Sequence, residues 1–220
     1  MSGRYVIAVA SAGDKAIAGP LVVAALVLDT RAEKPRFGWP GPGGLRTLDL
    51  SNFDASPANK RPAVSKWLRR MAAGASTVVC TATQLNGPNP KAVRIGAIGR
   101  SVSRAVEHAL LRYPPLQMHP ESTSILLCGL ETVPAQYVGT RVAQHLYPAK
   151  GTRPWQLDAA YAVARTRRDL LMREYAVEYP GYDFEINNGY ASTQHRRALE
   201  EVGPTPVHRI TSALVRGLEV

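Results

Sequence analysis

The sequence predicts an α/β fold built as one domain over residues 1–220. Three observations carry that reading. Two apolar runs near the start, 5–9 (Tyr-Val-Ile-Ala-Val) and 21–28 (Leu-Val-Val-Ala-Ala-Leu-Val-Leu), are continuous enough to be buried strands. Further on, short strand-like runs alternate with stretches whose apolar residues recur at helical spacing, the order that builds a sheet covered by helices. A chain of 220 residues, 45% hydrophobic, also has enough material for one core without exceeding the size at which cores divide.

The first two strands are joined by a Gly-rich turn. The stretch 31–44 holds Pro35, Pro40, Pro42 and four glycines, which predicts a loop. Ser56-Pro57 reads as an N-cap followed by proline at the first helical position, with Val64, Trp67, Leu68 and Met71 on the inward face of the helix that follows. Residues 76–83 suit a strand, and Asn86-Gly87-Pro88-Asn89-Pro90 is a breaker. Val102, Ala105, Val106, Ala109 and Leu110 repeat as one face of an amphipathic helix. Ser124–Cys128 is a short buried strand, and 140–147 is a strand or a short helix. The longest helix should run from about Gln156 to Tyr179, with Leu157, Ala160, Tyr161, Ala164, Leu171, Met172 and Tyr175 inward, and Pro180-Gly181 should end it. There is no internal repeat.

Two segments are specific enough to identify a family. The turn after the first strand reads Val9-Ala10-Ser11-Ala12-Gly13-Asp14-Lys15-Ala16-Ile17-Ala18-Gly19-Pro20, and the last stretch reads Gly203-Pro204-Thr205-Pro206-Val207-His208-Arg209. Together they resemble the two ends of the type 2 ribonuclease H family, ribonuclease HII. That family opens Asp-Glu-Ala-Gly-Arg-Gly-Pro-Leu-Ala-Gly-Pro and closes Gly-Pro-Thr-Pro-Ile-His-Arg. The resemblance spans almost the whole chain, with Arg168-Asp169, Tyr179–Tyr182, Gly189-Tyr190 and His195 also matched. It implies the ribonuclease H-like form of the α/β class: a mixed central sheet flanked by helices, with a helical C-terminal extension.

The resemblance also implies two-metal phosphodiester hydrolysis, in which paired divalent cations clamp the attacking water and the leaving oxygen. Hard cations of that kind need oxygen ligands, chiefly carboxylates. The family supplies four, and the matching positions here are Ala10, Ser11, Cys128 and Thr152. None is a carboxylate. The expectation is therefore no catalytic residue, no metal ligand and no cofactor. The nearby acids Asp14, Asp49, Asp54 and Asp158 read as solvated surface. The family's substrate-reading parts are altered as well. Its Gly-Arg-Gly turn is Asp14-Lys15-Ala16, whose side chains hinder close approach to a ribose 2′-hydroxyl. Its phosphate loop Asp-Ser-Lys-Lys resembles Leu50-Ser51-Asn52-Phe53, without the lysines. In the long helix the family's phosphate-contacting Ser is Tyr161 and its Lys is Arg165, whereas its sugar-stacking tyrosine is kept as Tyr190. His195 and His208 read as packing and hydrogen-bonding residues.

Composition sets the partner class. Lys and Arg total 27 against 17 Asp and Glu, a formal net charge of +10 that favours phosphate polymers. Lys15, Lys150, Arg165 and Tyr190 are the expected nucleic-acid contacts. No apolar run reaches the ~18 residues of a membrane span. Two cysteines give no disulfide framework. With no secretory leader in the opening residues, the cytoplasm is the expected location and no membrane is involved. The leading expectation is an inactive ribonuclease HII-like protein that binds RNA–DNA hybrid or duplex. The alternatives are a protein–protein scaffold, as a homodimer or with another chain, and an enzyme of changed chemistry around Cys128.

Overall fold

The computed structural model describes residues 4–41, 44–113, 122–139, 141–149 and 151–216. The two apolar runs form β1 (Tyr5–Ala12) and β2 (Leu21–Asp29), paired antiparallel with Ala10 opposite Ala24. They are followed by β3 (Phe37–Gly41), β4 (Gly44–Leu48), a 3-10 helix (Leu50–Ala55), α1 (Arg61–Met71), β5 (Gly74–Cys80), α2 (Ala82–Leu85) and α3 (Pro90–Arg112). Next come β6 (Thr123–Cys128), α4 (Ala135–Val138), β7 (Ala143–Tyr147), α5 (Trp155–Glu178), α6 (Phe184–Asn187), α7 (Thr193–Val202) and α8 (Ala213–Arg216).

The main sheet has the order β5-β2-β1-β6-β7. β1 and β2, and β2 and β5, are antiparallel, whereas β6 lies parallel to both β1 and β7. The sheet is thus mixed, as expected. Strand side chains alternate between its faces. Ala8, Ala10, Leu26 and Leu126 pack under α1 and α5, whereas Val9, Val23, Ala25 and Leu127 pack under α3. A third apolar cluster joins Ile17 and Ala18 of the first turn to Met172 of α5 and to Phe184, Leu199 and Val207 of the C-terminal extension.

Some sequence expectations need correction. The 31–44 stretch is not all loop, because β3 and β4 pair as a hairpin; Pro42 between them lies outside the described residues. Ser56 does not start α1. It closes the 3-10 helix, its hydroxyl donating to the Phe53 carbonyl at 2.5 Å, and the longer helix begins at Arg61 with Pro62 in its first turn. Trp67 is not inward: it is 45% exposed and stands edge-on to Phe37. The breaker at 86–90 supplies a cap, since Asn89 Oδ1 accepts from Ala92 N at 2.9 Å and Pro90 opens α3.

The two terminal motifs occur together because they touch. Gly19 N donates to the Val207 carbonyl at 2.8 Å and Arg209 N to the Ile17 carbonyl at 2.8 Å. Arg209, itself buried, donates to the carbonyls of Gly13 at 2.7 Å and Gly19 at 2.9 and 3.0 Å. Arg168, fully buried, adds donors to the carbonyls of Pro20, Ala18 and Asn188. Main-chain carbonyls therefore satisfy both guanidinium groups without a carboxylate.

Candidate functional site

The parallel pairing of β1 with β6 sets Ala10 directly opposite Cys128, and Ser11 follows at the end of β1. Ala10 and Cys128 are buried, with 1% and 8% of their surface exposed. Thr152 is exposed, just ahead of α5. The strand positions Ala10, Ser11 and Cys128 thus lie together at one end of the sheet.

What fills the site is an arginine that sequence reasoning did not single out. Arg153 Nη1 donates to Cys128 Sγ at 3.1 Å and to the Ala149 carbonyl at 2.7 Å, and its Nε lies 2.6 Å from Asp158 Oδ1. Its guanidinium carbon also stands 5.9 Å from the Tyr161 ring centroid. Asp158 is only 3% exposed, so the expectation that it is solvated surface is overturned. The reason is local: Pro154 precedes the first turn of α5 and directs the chain so that Arg153 folds back over Asp158. A basic residue five positions before an acid, across a proline at a helix start, was the available signal.

The other acids near the strand ends carry their own partners. Asp14 accepts from the Ser11 hydroxyl and from Arg94 Nη2 at 3.0 Å. Asp54, which is exposed, accepts from the Tyr161 hydroxyl at 2.7 Å and lies 3.5 Å from Arg165 Nε. Burial and then the Asp54 contact push the Tyr161 phenol above its ordinary pKa. Asp169 is paired with Arg61 at 2.7 Å and with Arg165 at 2.9 Å. Asp49 remains at the exposed surface, beside Lys34 at 2.9 Å.

These donors do not fit a pair of divalent cations. The strand ends offer a methyl group, a hydroxyl and a thiol, and a guanidinium lies against the thiol. Among the described residues no three His, Cys, Asp or Glu side chains gather where a metal could sit. Cys128 is poorly placed for nucleophilic work too. Burial raises its pKa above the ordinary thiol value despite Arg153, and its thiol contacts the Pro148 carbonyl at 3.7 Å.

Of the expected nucleic-acid contacts, Lys15 is exposed on the turn, and Lys150 lies outside the described residues. Arg165 does not stand on an open rim: its side chain is 12% exposed and engaged by Asp169 and Asp54. Tyr190 is half-buried, its ring 5.3 Å from the Arg168 guanidinium. His195 and His208 are fully buried and joined Nε2 to Nε2 at 3.0 Å, a structural pair remote from solvent.

Comparison with known proteins agrees with this fold. No family model matches the chain. Among curated proteins it is 32% identical over 208 residues to the ribonuclease HII of Cutibacterium acnes, covering 93% of this chain and 86% of that protein. It is 28% identical over 213 residues to the ribonuclease HII of Syntrophotalea carbinolica, covering 97% and 87%. Among solved structures, the ribonuclease H2 of Pyrococcus horikoshii superposes with a TM-score of 0.70 at 14% identity, over 98% of this chain and 97% of that one. The manganese-bound Bst-RNase HIII gives 0.62 at 13% identity, over 98% and 70%. At such identities the two structures establish the fold alone.

Proposed function

The chain belongs to the ribonuclease HII family, and from that premise we propose that it is a non-catalytic member that binds nucleic acid without hydrolysing it. The observation that carries this reading is the Arg153 guanidinium, held between Cys128 Sγ and the Asp158 carboxylate. A fixed monovalent cation there would repel a divalent ion, and the neutral Ala10 and Ser11 would offer it no charge. Four acids around the strand ends are balanced by arginines of the chain itself: Asp14 by Arg94, Asp54 by Arg165, Asp158 by Arg153 and Asp169 by Arg61.

Retained binding is supported by the net charge of +10 and by exposed Lys15 on the turn that matches the family's substrate-reading segment. The partner proposed is duplex nucleic acid, RNA–DNA hybrid included. The test is incubation with magnesium or manganese and a duplex carrying one ribonucleotide. No cleavage above the protein-free control is expected. Turnover at ordinary enzyme rates, ~1 per second or faster, would sink the reading.

A further inference from the structure

We propose that a pocket between the 13–17 turn, the first turn of α3 and the 209–212 segment binds a small phosphomonoester of nucleoside monophosphate size. The pocket encloses about 250 Å³. That is just below the ~300–1,000 Å³ usual for small-molecule sites, so it fits a compact ligand. It lies on the α3 side of the sheet: Leu21 and Leu85 of its lining belong to the core under α3, whereas α5, which carries Asp158, covers the opposite face.

Charge selects the ligand. Lys15, Arg94 and Arg209 line the pocket against one acid, Asp14, so three cations less one carboxylate leave an excess of two. Asp14 is already engaged by Arg94 and the Ser11 hydroxyl. Lys15 is exposed and enters no ion pair among the described residues. Arg209 is fixed by the Gly13 and Gly19 carbonyls, which orient its guanidinium without cancelling its charge. Arg94 lines the pocket with its side chain 32% exposed, so part of its guanidinium can face a ligand while Nη2 holds Asp14. Thr211 and Ser212 add hydroxyl groups to the lining. A phosphomonoester, at roughly −1.5 to −2, matches that excess, whereas a phosphodiester of a polymer carries one charge. The apolar part of the lining suits the planar body of a base. This inference does not depend on the nucleic-acid reading.

Calorimetry on the full chain at low salt tests it, with inorganic phosphate, adenosine 5′-monophosphate, adenosine and a DNA duplex as probes. The monophosphate should bind more tightly than inorganic phosphate, and adenosine should not bind. Lys15→Gln and Arg94→Gln should each weaken the monophosphate about tenfold, the scale of one charge-assisted hydrogen bond. Arg196→Gln, on the exposed face of α7, should leave it unchanged. Because Lys15 is exposed, its variant reports binding without threatening the fold. Three results overturn the proposal: no monophosphate binding at ~1 mM, about 4 kcal/mol of affinity; equal binding of adenosine or inorganic phosphate; or equal loss in all three variants. Duplex binding without monophosphate binding would sink this pocket alone, and the reverse would sink the polymer reading alone.

Discussion

Arg153 and Asp158 account for each other's burial. A carboxylate 3% exposed is tolerated here because a guanidinium lies 2.6 Å away and shares its remaining donors with Cys128 and Ala149. Removing one partner of such a pair leaves a buried charge uncompensated. Arg153→Ala should therefore lower stability by roughly 3–5 kcal/mol, read from urea unfolding, whereas a double change to Met at 153 and Leu at 158 should recover most of the loss. A neutral Arg153→Ala would show that the pair is solvated. Backbone demands are equally local. Gly189 has a φ of +72°, and a Cβ there would lie 2.3 Å from the Ala18 carbonyl oxygen. Gly189→Ala should cost ~2 kcal/mol or more, because strain and a backbone clash act together. A melting temperature unchanged by that substitution would mean that the turn can shift.

The histidine pair ties the parts of the C-terminal extension to one another, while apolar packing and main-chain bonds hold it to the first turn. His195 Nδ1 lies 2.8 Å from the Tyr190 carbonyl, so it donates there; His195 Nε2 then accepts from His208 Nε2, and His208 Nδ1 accepts from Thr205 N at 2.9 Å. The chain of bonds needs both rings neutral, and the rings of Tyr182 and Phe184 pack around them. Burial, and then the neighbouring His195, lower His208 to about 4, and burial also lowers His195. Both folded values lie below the unfolded histidine value of ~6.5, so the unfolded chain binds more protons between the two. Their contribution is complete above ~6.5 and is lost as pH falls toward 4, with a cost of about 2 kcal/mol reached by pH 5 for His208 alone. Urea unfolding at pH 7 and pH 5 should show that loss, and His208→Gln should flatten the dependence; equal stability at both values would refute it. At this scale the sequence was readable where burial was continuous: β1, β2, β6 and α5 lie within a few residues of their expected limits. The β3–β4 hairpin was hidden because its prolines and glycines read as loop, and Ser56 misled because a serine can close a 3-10 turn as well as open a helix. The matched positions Ala10, Ser11 and Cys128 were legible from motifs, but Arg153 was not, because its role depends on how the chain folds back at Pro154.

Taken as a whole, the molecule carries a charge excess of +10, and much of its cationic surface lies on helices. α1 exposes Lys66, Arg69 and Arg70 and contains no acid; α5 exposes Arg167 and Arg173. Other arginines are committed inside the fold: Arg61 and Arg153 to carboxylates, Arg168 and Arg209 to main-chain carbonyls. The surface charge should draw in a polyanion, while the turn that would read a ribose, which in the register set by Ala10 and Ser11 is Gly13-Asp14-Lys15 and not 14–16, keeps its first glycine and carries the side chains of Asp14 and Lys15. Binding to a duplex should then be electrostatic and indifferent to sugar. Each neutralised phosphate releases counterions, so four contacts would weaken binding about a hundredfold between 50 and 200 mM salt. Fluorescence anisotropy with hybrid, DNA duplex and single strands across that range checks this. Hybrid and DNA should agree within a few-fold, and replacing Lys66, Arg69 and Arg70 with Glu should abolish binding while leaving the melting temperature nearly unchanged, because all three are exposed. A salt-independent affinity, or a preference of ~100-fold for hybrid, would mean that the turn still reads the ribose and that charge is not what holds the duplex; on the scale of polar discrimination such a preference is worth close to 3 kcal/mol.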